Sequence, residues 1–216
     1  MFNYHINNES VTFYTESPDG EGGFPGNLKL RVTYSFSDDN RLQIEYSALS
    51  DKRTPINFTN HAYFNLSGKK NTILDNQLKV NAEKYLGTDN EFLPTGQVLD
   101  IQGSAFNFSN YKAIDEMASL KKDDLEGYNA YFIRQSNKEA LGSVKDITSG
   151  RVLDVYSTMP GILFYTGDFL SGEFLPFQGL CLEAQYYPDA MNHTDFVSNI
   201  LEPNKEKTDI ITYSFR

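Results

Sequence analysis

From Leu28 onward the chain alternates: Leu28, Leu30, Val32, Tyr34 and Phe36 are apolar, and Lys29, Arg31, Thr33 and Ser35 between them are polar. A period of two is the signature of a strand with one buried face. After the polar run Ser37, Asp38, Asp39, Asn40 the pattern resumes, with Leu42, Ile44, Tyr46 and Ala48 set against Gln43, Glu45 and Ser47. The pattern predicts a β-hairpin over 28–49 closed by an Asp/Asn turn. Further short strands are predicted over 56–66, 77–83, 128–135, 151–158, 162–166, 179–186 and 209–215, separated by clusters of Gly, Pro, Asn or Asp. One helix is predicted over 111–122, where Ile114, Met117 and Leu120 recur three apart. The Gly- and Pro-rich stretch 17–27 reads as a connecting loop. No repeat or composition shift divides the chain, so the expectation is all-β, a β-sandwich with long loops, as a single domain over 1–216.

Two predicted strands carry polar groups where a core strand would not. In 179–193, alternation sets Leu180, Leu182 and Ala184 on one face and Cys181, Glu183 and Gln185 on the other. A carboxylate in the middle of an apolar strand costs several kcal/mol unless it is paired or solvated. A cavity or a partner is therefore expected on that face, the alternative being a surface strand with Glu183 in water. In 60–66 the same alternation sets His61, Tyr63 and Asn65 opposite Ala62, Phe64 and Leu66, the latter being the packed side. If the two polar faces meet, they form a His/Glu pair able to give one proton and take another. Alternation by itself leaves open whether they meet.

Composition narrows the function classes. The 216 residues include 16 Phe and 14 Tyr, ample for a core, and no long uncharged apolar run suited to a membrane span. A net charge of −10 disfavours nucleic acid, anionic membrane surfaces and phosphorylated ligands. The lone Cys181 has no metal-ligating partner at a recognisable spacing, so structural zinc is not expected and packing is its simplest role. The N-terminus lacks the pattern of a secretory signal, and with the single cysteine this gives a cytoplasmic expectation. His5 reads as a surface residue.

The segments 17–48, 59–68 (TNHAYFNLSG), 85–96 (YLGTDNEFLPTG), 160–170 (PGILFYTGDFL), 179–193 (GLCLEAQYYPDAMNH) and 208–215 (TDIITYSF) resemble, in that order, the aldose 1-epimerase (galactose mutarotase) family. The resemblance implies a large β-sandwich with the sugar in an open cleft, and interconversion of the α and β anomers of a free aldose without metal or organic cofactor. It implies that His61 protonates the ring oxygen O5 and that Glu183 takes the proton of the C1 hydroxyl. Tyr63, Gln185 and Asn129 are the expected sugar contacts, Asn129 standing where the family usually has an aspartate. Leu163 stands where a glutamine is frequent. The resemblance also implies that an N-terminal portion of the family fold, with an arginine and a second histidine, is missing before residue 1. Weak sugar binding follows from these departures. The alternatives are a silent carbohydrate-binding or regulatory module, or a cleft completed by a partner chain, including a homodimer formed through an exposed strand edge.

Overall fold

The computed structural model describes residues 2–69, 71–118, 127–135 and 139–216. Along the chain, β1 (Asn3–Ile6), β2 (Ser10–Ser17), β3 (Leu28–Ser37) and β4 (Arg41–Ser50) form consecutive antiparallel hairpins. There follow β5 (Thr54–Pro55), β6 (Gln77–Val80), β7 (Ala82–Thr88), β8 (Pro94–Asp100), β9 (Lys112–Ala113) and the short helix α1 (Ile114–Ala118). The remaining strands are β10 (Asn129–Arg134), β11 (Gly142–Lys145), β12 (Val152–Ser157), β13 (Gly161–Tyr165), β14 (Cys181–Gln185), β15 (Ile200–Leu201) and β16 (Lys207–Phe215). Nine of them make one sheet, in the order β1-β2-β3-β4-β16-β12-β11-β6-β9, and five make a second, in the order β14-β13-β10-β7-β8. β5 and β15 form a separate two-stranded ribbon.

Burial of alternate residues decides how the sheets stack. The larger sheet contributes Ile44, Val144, Leu153, Val155, Ile211 and Tyr213 to a buried cluster, and the smaller contributes Ala130, Phe132, Ile162, Phe164, Leu182 and Ala184. These are every second residue of their strands, so each sheet spends one face on the shared core and keeps the other for different use. The hairpin predicted over 28–49 forms as β3 and β4, and Asn40 takes the left-handed conformation (φ 59°) that its tight turn requires.

Several local expectations are corrected. The stretch 77–83 is two strands, because the chain leaves the larger sheet after Val80 and enters the smaller at Ala82, with the Asn81 amide bonded to the Leu141 carbonyl at the crossing. Within the described residues the helix covers Ile114–Ala118 and starts later than predicted, with Lys112 and Ala113 in a strand; the remaining predicted positions, 119–122, lie outside the described residues. Strands β1, β2, β8 and β11 carried too few strong apolar residues to stand out, yet they complete the sheets.

The largest correction falls on 56–66, which is extended but not a strand. Its sole bridge pairs Phe64 with Leu180. Elsewhere side-chain amides replace the ladder: Asn57 Oδ1 accepts the Tyr186 amide at 2.9 Å, Asn60 Oδ1 accepts that of Ala62 at 3.3 Å, and Asn65 Oδ1 accepts that of Ser67 at 3.1 Å. Asparagine competes with regular structure in this way because its short amide mimics a backbone group. The anchors at Asn57 to Tyr186 and Phe64 to Leu180 run the segment antiparallel along the free edge of β14.

Candidate active site

β14 is an edge strand of the smaller sheet, and the irregular segment over its edge brings a ring onto its outer face. His61 Nε2 lies 3.4 Å from Glu183 Oε1, and His61 Nδ1 lies 3.3 Å from Cys181 Sγ. The two polar faces left unconnected by alternation do meet. A regular strand here would hold its side chains perpendicular to the sheet, whereas the Asn-pinned path lets His61 reach over its neighbour. The Tyr213 hydroxyl, rising from the larger sheet, sits 3.4 Å from both Asn60 oxygens and from the Leu182 carbonyl, tying the segment to β14 from beneath.

The burial of the pair is unequal. The Glu183 side chain is 6% exposed and that of His61 53%. Cross-strand register explains the carboxylate's surroundings: Tyr131, Leu163 and Glu183 stand in one row across β10, β13 and β14, and Asn129, Tyr165 and Cys181 stand in the next. Leu163 is thus the direct neighbour of Glu183, and it packs with Leu86, Tyr131, Tyr187 and Phe196 in a second apolar cluster on this outer face. Desolvation pushes the Glu183 carboxyl above its ordinary range, and His61 partly offsets it. Burial also holds the Cys181 thiol far above its ordinary value, with the Glu183 charge adding to the effect, so the sulfur keeps its proton. A carboxyl held above its ordinary range beside an exposed imidazole is an arrangement suited to proton exchange.

The other expected sugar contacts take these places. Tyr63 is 46% exposed and its ring centroid lies 5.1 Å from that of His61 and 6.2 Å from that of Tyr165. Asn129 shares the outer face two strands from Cys181, on the order of 10 Å across the sheet. Gln185 follows Glu183 on the same face, half-buried, and its carbonyl accepts the Tyr131 hydroxyl at 2.9 Å. His5 is exposed on β1, remote in the sheet order from this face. His193 is a structural residue, its Nε2 3.1 Å from the Pro94 carbonyl and 3.4 Å from Asp189.

Sequence reading passed over Tyr165 and underrated Cys181. Alternation in Gly161–Tyr165 puts Leu163 and Tyr165 on one face, and pairing that strand with 181–185 is the signal that would have placed Tyr165 beside the thiol. A cavity of about 450 Å³ opens beyond Tyr63, lined by Asn65, Lys69, Leu170, Phe174, Gln178 and Gly179 among others.

Fold and site together define a two-sheet antiparallel β protein with a histidine–carboxylate pair on the outer face of its smaller sheet. The chain belongs to the aldose 1-epimerase family, whose model matches residues 1–214. It is 37% identical over 216 residues to galactose mutarotase of Mus musculus and 34% identical over 223 residues to aldose 1-epimerase of Escherichia coli (strain K12). Those alignments cover 95% and 97% of this chain and 62% and 64% of the two relatives, so the chain spans a little over three fifths of their length. Among solved structures, a GalM/aldose epimerase homologue from C. elegans superposes with a TM-score of 0.93 at 26% identity, covering all of this chain and 68% of that one. Galactose 1-epimerase from Lactobacillus acidophilus gives 0.86 at 28%, over all of this chain and 65% of its own. No helix among the described residues is long and apolar enough to cross a membrane.

Proposed function

We propose that the protein is an aldose 1-epimerase in which Glu183 is the base and His61 the acid. The observation that carries this reading is the 3.4 Å approach of an exposed imidazole to a buried carboxylate. Two oxygens on a single sugar carbon can lie alongside such a pair, each within hydrogen-bond reach of one of the groups. Glu183 takes the proton from the C1 hydroxyl, the C1–O5 bond breaks with its electron pair passing to O5, and His61 delivers a proton there. The open-chain aldehyde turns about C1–C2 and the same two groups close the ring in reverse, so catalyst and protons are restored. Tyr63 offers a ring face to the sugar, and Asn129 and Gln185 offer amides to its hydroxyls. Asn129 is neutral, so it forms none of the charge-assisted bonds that an aspartate would, and loose binding with a high KM is expected. The buried, unpaired Cys181 thiol suits a reducing compartment such as the cytoplasm.

The test is exchange between α and β anomers of galactose, glucose, xylose and arabinose, followed by NMR with and without the protein. Exchange faster than buffer for at least one sugar is expected. Rates equal to buffer for all four, beside measurable binding of any, would make the protein a binding module instead.

Self-association belongs to the same reading. Among the described residues β1 pairs only with β2, at the end of the nine-stranded sheet, and exposes Tyr4 and Ile6 at 65% and 64%. Such an edge invites pairing with a second copy. Sedimentation over a range of concentrations is expected to show a rising mass, and the mass of one chain throughout would remove the dimer.

A further inference from the structure

His61, Cys181 and Glu183 do more than bracket a sugar carbon. One donor atom can be taken from each so that all three lie within 4.8 Å of one another. A tetrahedral site with zinc-to-ligand bonds of 2.0–2.3 Å holds its donors roughly 3.3–3.6 Å apart. The 3.3 Å and 3.4 Å separations involve different ring nitrogens, Nδ1 to Cys181 and Nε2 to Glu183, so a single set of three donors, all within 4.8 Å of one another, has to close in on the ion. The ring can commit only one nitrogen, so binding requires His61, half-exposed and flanked by the rings of Tyr63 and Tyr165, to turn toward the other two donors. Two of the donors come from alternate residues of one rigid strand, and the third swings over them from outside.

The surroundings fit a cation. Glu183 is almost wholly buried, and among the described residues the His61 ring is the one basic side chain within ion-pair distance of its carboxylate. Cys181 is fully buried against the same ring. A sulfur, an imidazole nitrogen and one carboxylate oxygen select a borderline-soft divalent ion over magnesium or calcium.

We propose that His61, Cys181 and Glu183 bind a single zinc ion, and that the ion, once seated, blocks sugar turnover. On binding, the Cys181 thiol releases its proton to solvent and the sulfur becomes the ligand, while one nitrogen of His61 and one oxygen of Glu183 each give a lone pair to the metal. The blocking half of the proposal rests on the acid–base reading above, since the metal occupies the very atoms that reading assigns to proton transfer; the binding half stands without it.

The probe is cobalt(II), which reports a thiolate ligand by a charge-transfer absorption in the near ultraviolet. Untagged protein is titrated with cobalt in the absence of sugar, and zinc is then added. The expected result is one cobalt per chain with a thiolate band, displacement by zinc, no band in Cys181→Ser and weaker binding in Glu183→Gln. Anomer exchange is expected to fall with zinc and to return with a chelator. No thiolate band at cobalt well above the protein concentration overturns the site. A band in a protein that shows no exchange under any condition sustains the site and removes the enzymatic reading. A band together with undiminished exchange at saturating zinc overturns the blocking half.

Discussion

Glu183→Gln is expected to lower anomer exchange by about 10²–10⁴-fold, the usual worth of one positioned proton transfer, and to make the protein more stable near neutral pH. Both effects come from one cause. The apolar row of Tyr131 and Leu163 beside Glu183 desolvates its charge, so the folded-state carboxyl titrates above its unfolded value. For a group raised in this way, its contribution to stability is complete below the unfolded pKa and is lost as pH rises through the folded pKa. Glutamine keeps the shape and never ionises, so the variant lacks that loss. Denaturation midpoints of the two proteins are therefore expected to diverge as pH rises from the ordinary carboxylate range to neutrality, in favour of the variant. The wild-type rate is expected to fall on acidification above the ordinary carboxylate range, where Glu183 takes up its proton. His61→Ala is expected to lose rate on the same scale and to push the Glu183 carboxyl further above its ordinary range, because the buried carboxylate loses the group that offsets its desolvation. A Glu183→Gln protein that exchanges anomers at the wild-type rate would remove the carboxylate from the mechanism.

Phe164→Ala is expected to cost about 3–5 kcal/mol of folding stability, measured as the shift in urea midpoint at unchanged slope. Phe164 is fully buried at the centre of β13, between Ala130 and Leu182 in register. Its ring meets Phe108 edge-on with centroids 6.0 Å apart and Tyr128 at 5.6 Å. These contacts join β13 to the loop between β8 and β9 and to the residue before β10, in a close-packed interior where a missing benzyl group leaves a cavity. The same residue supports the site, since its flanking neighbours Leu163 and Tyr165 face Glu183 and Cys181. Loss of exchange activity at denaturant concentrations that leave the wild type intact is expected to accompany the lost stability. A shift below about 1 kcal/mol would show that the core relaxes around the gap.

Much of this protein is legible from spacing alone, because the period of a strand depends only on neighbouring residues. The hairpin of β3 and β4, the face on which Glu183, Cys181 and Gln185 lie, and the opposition of His61 and Tyr63 to Leu66 are all properties of local alternation. The motifs around His61 and Glu183 likewise carried the family. Sheet membership was less legible: 77–83 reads as one strand, but the turn at Asn81 passes it from one sheet to the other, and that depends on the Leu141 carbonyl waiting there.

What only the tertiary structure decided is the meeting of residues 120 positions apart. Cys181, without partners at any recognisable sequence spacing, lies against His61 and next to Glu183 because an irregular segment, not a strand, covers the edge of β14. The physical reason is competition for backbone groups. Asn57, Asn60 and Asn65 satisfy amides with their side chains, the ladder is left with a single bridge at Phe64, and the ring of His61 is freed to fold over the face that a regular strand would have kept from it.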